Sequence, residues 1–112
     1  MKTMNAWRLQ RVSAMVLALC VSVHLVTMIL VVHGGLRAAD VLARLHGNAV
    51  WAAFYALFVF AAAVHVSVGL RRIAEEWLRW HARAAYVASV VVAIALAFAG
   101  WRAVYALVGG PA

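Results

Sequence analysis

The residue best suited to chemistry in this chain is His65, an imidazole inside a long apolar segment. Small residues, Ala61 and Gly69, stand one helical turn to either side of it, and the segment ends in the basic pair Arg71 and Arg72. An ionisable residue within an apolar segment is costly and indicates a functional role. For a histidine in this setting, the partner that we expect first is a metal, here haem iron.

A second imidazole, His24, lies in another apolar segment. It stands thirteen residues after Arg11, about 20 Å along a helix axis, whereas His65 stands six residues before Arg71, about 9 Å. If both arginines mark one membrane surface, the two rings differ in depth by about 10 Å. Two histidines that share one haem must face each other across it, so we expect each to find its second ligand on another chain. The alternative is that each histidine hydrogen-bonds a neighbouring helix.

Other metal chemistry has little support in the sequence. The single cysteine, Cys20, excludes an intramolecular disulfide and a thiolate cluster. The sequence contains no C-x-x-C-H motif, so any haem is expected to be held non-covalently, as in a b-type cytochrome. The remaining histidines, His33, His46 and His81, stand in predicted loops, where an imidazole needs no special explanation.

Three apolar segments have to position these residues. Of 112 residues, 69% are hydrophobic and 12% are charged, against about a quarter charged in soluble proteins. The segments 12–32, 49–70 and 84–108 each reach the roughly 20 residues that a helix needs to cross a bilayer. Because backbone groups in lipid must bond internally, we predict an all-α integral membrane fold. Three transmembrane helices then form a single membrane-anchor domain over residues 1–112.

Basic residues predict the orientation of these spans. Seven precede the first span or lie between the second and third: Lys2, Arg8, Arg11, Arg71, Arg72, Arg79 and Arg83. Three others are Arg37, Arg44 and Arg102. The positive-inside rule then places the N-terminus in the cytoplasm and the C-terminus outside. The net charge of +7 fits this topology and an anionic lipid surface, and no nucleic-acid partner is expected.

The ends of the first two spans carry recognisable signals. The first span exceeds the 7 to 15 apolar residues of a signal peptide, so we expect it to be retained. Gly34 and Gly35 are the expected stop of the first helix. The segment 36–45 reads as a short amphipathic turn on the membrane surface, and Asn48 as the N-cap of the second span.

Two short motifs resemble a known family. The run 64–71, VHVSVGLR, followed by Glu76, resembles the H-x3-G-x-R segment with a later acidic residue in membrane-anchor subunits of succinate dehydrogenase and fumarate reductase. The run 10–14, QRVSA, resembles that family's H-R-[VI]-[ST]-G segment, with Gln10 in place of the histidine. The resemblance covers the three-span plan and most of the chain to about Trp77.

The resemblance implies haem ligands. The histidine matching His65 is an axial ligand of haem b in that family, and His24 resembles a first-span histidine of its two-haem branches. One or two haems would therefore be shared with a partner chain, either a second anchor subunit or a second copy of this chain. Arg71 is a candidate partner of a haem propionate, because arginine recognises carboxylates in a bidentate way.

The resemblance also implies a quinone pocket near the cytoplasmic surface. The arginine matching Arg11 lies at that pocket, so we assign to it Arg11 and Ser13, with Trp7 and Trp77 as apolar walls, and ubiquinone or menaquinone as the substrate. The same arginine and tryptophan residues are equally typical of an interfacial belt. Trp77 stands where the family often has a tyrosine, and an indole N–H cannot exchange a proton as a hydroxyl does.

These implications combine into one functional hypothesis. The chain is expected to be a haem b-binding membrane anchor that relays electrons between an iron-sulfur subunit and quinone. A flavoprotein subunit would interconvert succinate and fumarate, and the whole would lie in the plasma (inner) membrane of a bacterium. The chain itself would be a non-catalytic or quinone-reactive part of an oxidoreductase complex. Two alternatives stay open: a haem-free structural or assembly subunit, and a small quinone-linked cytochrome b of another dehydrogenase.

Overall fold

The structure is a computed structural model that describes residues 3–35 and 37–109, and this part of the chain is helical. Helices α1 (Thr3–His33), α2 (Ala38–Leu45), α3 (Ala49–Glu76) and α4 (Ala82–Val104) follow in order, and a π-helical turn, Tyr105–Gly109, continues α4. Three segments are long and apolar enough to cross a membrane: Met4–His33, Ala49–Glu76 and Ala82–Gly109. The predicted all-α class with three transmembrane helices is confirmed, whereas its orientation stays a prediction. Lys2 and Leu36, which entered the charge count and the amphipathic turn, lie outside the described residues.

The helices extend beyond the predicted spans, 12–32 and 49–70. Helix α1 begins at Thr3 and α3 continues to Glu76, because the flanking arginine, glutamate and leucine residues are themselves good helix formers. The connection from α3 to α4 is therefore only residues 77–81, where the predicted spans left about a dozen. In this connection Arg79 takes a φ of 56°, and the Trp80 N–H donates to the Ala74 carbonyl oxygen at 2.9 Å.

The connection from α1 to α3 contains the predicted end signals. Helix α1 ends at His33 and Gly35 follows with a φ of 69°, a conformation that favours glycine. Helix α2 occupies most of the predicted amphipathic turn and buries Leu45. The Asn48 Oδ1 then accepts hydrogen bonds from the N–H groups of Val50 and Trp51, at 3.0 and 3.2 Å. Both the glycine stop and the asparagine N-cap are confirmed.

Helix α3 is the central element, because it packs against both α1 and α4. Helix α4 approaches α3 closely at Gly100, where a Cβ would lie 2.7 Å from both methyl carbons of Val59. Only 6% of the most apolar stretch of α1 is buried inside the chain, the same share as in α3. Most of the surface of α1 is therefore available to lipid or to other chains.

Candidate functional site

His65 lies at the interface of α1 and α3, where Ser13 holds its ring. The Ser13 Oγ lies 3.3 Å from His65 Nδ1 and 3.1 Å from the Gln10 carbonyl oxygen. A carbonyl oxygen only accepts, and a hydroxyl has one hydrogen to donate. Both bonds therefore form together only when Nδ1 carries the ring proton and donates it to Ser13. The lone pair of the other ring nitrogen, Nε2, is then free for a metal.

The small residues beside His65 serve helix packing. A Cβ on Gly69 would lie 3.0 Å from the Gln10 Nε2, so the Gln10 side chain occupies the space that the glycine leaves. Ala61 is buried within the chain. The Gln10 Oε1 is also buried, and it has no hydrogen-bond partner among residues 3–35 and 37–109. Helix α1 thus covers part of the face of α3 that carries His65 and its small neighbours.

His24 lies among aromatic rings of α3. Its ring meets Tyr55 and Phe58 edge-on, with centroid separations of 6.1 and 5.9 Å. Together they line a cavity of about 290 Å³ between the helices. The His24 Nδ1 is buried and has no hydrogen-bond partner in the part of the chain that the structure describes. Within the described residues, packing against aromatic rings therefore orients this ring, without a hydrogen bond to Nδ1.

The two histidines stand at different depths. Ser13 lies level with His65 because the two side chains are in contact, and His24 is eleven residues further along α1, about 16 Å at 1.5 Å per residue. The predicted offset was about 10 Å. The prediction assumed that Arg11 and Arg71 lie at the same depth. In the structure α1 and α3 are antiparallel with Ser13 level with His65, so Arg71 lies about one turn nearer the start of α1 than Arg11 does.

Arg71 turns toward α4. Its Nε lies 3.5 Å from Glu75 Oε1, and its guanidinium carbon lies 5.4 Å from the centre of the Tyr86 ring. These three residues line a cavity of about 460 Å³ at this end of the bundle. Around the helix axis, Arg71 is about 120° from His65, whereas Arg72 is within about 20° of it and two turns away. Of the two arginines, Arg72 shares the face of His65.

The four residues predicted for quinone binding are only partly brought together. Arg11 stacks on Trp7, with its guanidinium carbon 5.1 Å from the ring centre. The Ser13 side chain is 6% exposed and is directed to His65. Trp77 follows the last residue of α3, and its side chain is 80% exposed. The structure therefore pairs Arg11 with Trp7 and engages Ser13 elsewhere.

Two features of the site were missed by reasoning from the sequence. The first is that Arg72 lies on the same face of α3 as His65, which the seven-residue spacing between them could have indicated. The contact of Ser13 with His65 had no local signal, because 52 residues separate them.

No group of three or more His, Cys, Asp or Glu side chains that could hold a metal ion occurs among the described residues. An axial haem ligand requires only a single histidine nitrogen.

Comparison with known proteins identifies the family. A family model described as the succinate dehydrogenase/fumarate reductase transmembrane subunit matches residues 1–101. No curated protein and no solved structure matches the chain. The matched range spans α1, α2, α3 and most of α4, so the predicted resemblance is confirmed. This multi-pass membrane protein belongs to the succinate dehydrogenase/fumarate reductase transmembrane subunit family.

Proposed function

We propose that the chain is a haem b-binding anchor subunit that relays electrons between an iron-sulfur subunit and membrane quinone. The observation that carries the proposal is the His65 ring, whose Nδ1 is held by Ser13 while Nε2 has no such bond within the described residues. Metal-binding histidines are typically oriented in this way, by a hydrogen bond from the other ring nitrogen. A bound haem would supply a one-electron redox centre.

The remaining surface of the chain fits a haem shared with another subunit. Helix α1 covers one side of α3 beside His65, as the Ser13 and Gln10 contacts show. We propose that a second ligand to the haem would come from another chain, either a second anchor subunit or a second copy. Because little of α1 is buried inside the chain, a large apolar surface is available for that partner and for lipid.

Arginines at the same end of the bundle are suited to the carboxylates of a haem. We favour Arg72, because it shares the face of His65. Arg71 is the weaker candidate, since its guanidinium group already contacts Glu75 and Tyr86. A cation held near a propionate in a medium of low dielectric would stabilise the charged carboxylate.

A quinone site, if this chain contributes to one, would use Arg11 and Trp7. The Arg11 cation would stabilise negative charge that develops on a quinone oxygen, and the Trp7 ring would form an apolar wall. The exposed indole of Trp77 is available to the quinone, ubiquinone or menaquinone, or to a docked subunit. Ser13 is the least suited of the four, because its hydroxyl already makes two hydrogen bonds.

His24 is the candidate ligand of a second haem, about 16 Å from the level of His65. Its ring is oriented by Tyr55 and Phe58 but lacks a hydrogen bond to Nδ1 among the residues described. A hydrogen bond to the second nitrogen makes a histidine a stronger ligand. We therefore expect haem binding at His24 to be weaker than at His65.

We propose that the chain lies in the plasma membrane of a bacterium, and the charge distribution supports an orientation with the N-terminus in the cytoplasm. The register of α1 and α3 brings Arg8, Arg11, Arg71 and Arg72 to one end of the bundle. A basic end of this kind favours the cytoplasmic side. The iron-sulfur subunit, with the flavoprotein bound to it, would dock at that end.

The test is an optical spectrum of the complex purified from membranes. We expect a reduced-minus-oxidised b-type band that His65→Ala removes and that His81→Ala, a change at an exposed residue, retains. Absence of the band in the unaltered complex would indicate a haem-free structural or assembly subunit. An unchanged band in His65→Ala would exclude His65 as the ligand. A band that succinate cannot reduce would indicate a cytochrome b of another dehydrogenase.

A further inference from the structure

We infer that Ser13 is a positioning residue for His65: its hydroxyl oxygen accepts the Nδ1 proton and so fixes which ring nitrogen faces the haem iron. The inference rests on the proposed haem ligation and gives Ser13 a role different from quinone binding. The two atoms lie 3.3 Å apart, and the serine belongs to α1 while the histidine belongs to α3. Ser13 thus couples the orientation of the ligand to the packing of these two helices.

The direction of the hydrogen bonds follows from the chemistry of the three groups. The Gln10 carbonyl oxygen is 3.1 Å from the Ser13 Oγ and cannot donate, so it takes the hydroxyl hydrogen. The lone pairs of the hydroxyl oxygen then accept from His65 Nδ1. Ser13 is 6% exposed, so little water can compete for either bond. This arrangement selects the Nδ1–H tautomer, whereas a free imidazole side chain in water favours the Nε2–H tautomer.

His24 provides a contrast within the same chain. Both histidines lie in apolar helices, yet the His24 Nδ1 is buried with no hydrogen-bond partner in the described part of the chain. Among the described residues, therefore, no hydrogen bond to Nδ1 selects one tautomer of this ring. The two rings are therefore expected to differ in tautomer preference, although neighbouring apolar residues surround both.

The hydrogen bond also affects the electronic properties of the ligand. Donation from Nδ1 raises the electron density of the ring and makes Nε2 a stronger base, which favours oxidised over reduced iron. Loss of such a bond typically lowers metal affinity by about 10- to 100-fold. We expect Ser13→Ala to weaken haem retention by about that factor and to shift the midpoint potential of the haem upward.

The first measurement requires no haem. The full chain with ¹⁵N-labelled histidine, in detergent micelles, reports the tautomer of each ring through its nitrogen chemical shifts, and the His65 signals are assigned by their loss in His65→Gln. We expect the Nδ1–H form in the unaltered chain and a shift toward the Nε2–H form in Ser13→Ala. Ser13→Thr retains a hydroxyl and should restore the first pattern. Ser22→Ala is the matched control, since Ser22 donates to the Ala18 carbonyl oxygen at 2.7 Å on the exposed side of α1.

The second measurement is a redox titration of the haem in the purified complex for the same variants. We expect Ser13→Ala alone to shift the potential upward. An Nε2–H tautomer in the unaltered chain, or a tautomer unchanged by Ser13→Ala, would overturn the inference. An unchanged potential would overturn its electronic part. A complex without haem whose His65 tautomer still depends on Ser13 would overturn the proposed function and leave the positioning of Nδ1 supported. If Ser13→Ala does not fold, the unaltered chain and Ser13→Thr still decide the tautomer.

Discussion

Gly100 and Val59 form a close contact between α3 and α4, and this contact leads to a quantitative prediction. A Cβ at position 100 would lie 2.7 Å from each methyl carbon of Val59, about 1 Å inside the ordinary carbon–carbon separation. A valine in a helix has essentially one side-chain rotamer, so it cannot turn away. Gly100→Ala therefore has to push the two helices apart locally.

The size of the effect follows from two opposing contributions. Overpacking of this kind costs about 1–3 kcal/mol, whereas replacing glycine by alanine in a helix gains about 1 kcal/mol. In the unaltered chain Gly100→Ala should therefore lower the free energy of unfolding by about 0–2 kcal/mol. In a Val59→Ala background the two methyl carbons are gone, and the same substitution should raise it by about 1 kcal/mol. The interaction energy of the pair is then about 1–3 kcal/mol.

The assay is a double-mutant cycle of unfolding in mixed detergent micelles, titrated with a denaturing detergent and followed by circular dichroism. Gly69→Ala is the comparison, because the added Cβ would meet the movable end of Gln10 at 3.0 Å and should be tolerated better. If Gly100→Ala changes stability equally in both backgrounds, to within about 0.5 kcal/mol, the contact does not limit the approach of the helices and the reasoning fails.

Three further predictions concern the cap, the arginines and the topology. Asn48→Ala should lower the free energy of unfolding by about 0.5–2 kcal/mol, as measured by the same titration, and Asn48→Ser should retain most of it; equal losses in both would contradict the capping role. Arg72→Gln should lower the haem content of the purified complex more than Arg71→Gln, and the reverse order would contradict the shared face with His65. Alkaline phosphatase, which is active only outside the cytoplasm, should be active when fused after Gly35 and inactive when fused after Arg79; the opposite pattern would invert the topology.

The local features of the fold were predictable because their causes are local. Apolar runs long enough to span a bilayer gave three helices. Asn48 marked a helix start through its side-chain oxygen, and Gly35 marked a helix end through its positive φ. Helices α1 and α3 extend beyond the predicted membrane spans, to Thr3 and to Glu76. Arginine and glutamate continue a helix into the interface readily, so Glu76 still belongs to α3.

The geometry of the site was less predictable because it depends on how the helices align. The depth of His24 relative to His65 was underestimated, since Arg11 and Arg71 were assumed to stand level. The register became visible only in the structure, through contacts such as that of Ser13 with His65. From sequence, a small residue beside a histidine can indicate either space for a ligand or close packing of a neighbouring helix. At Gly69 the second interpretation holds, because Gln10 of α1 fills the space.

The hydrogen bond that Ser13 makes within its own helix has a consequence for the protein during its synthesis. Ser13 and His65 are 52 residues apart, so at about 5–20 residues per second the ribosome needs roughly 3–10 s to supply the second after the first. During that interval α1 has been made but its partner helix α3 has not. The Ser13 hydroxyl is not left unsatisfied, because it donates to the Gln10 carbonyl oxygen within its own helix. Its oxygen is therefore available to accept the hydrogen bond from His65 once α3 packs against α1.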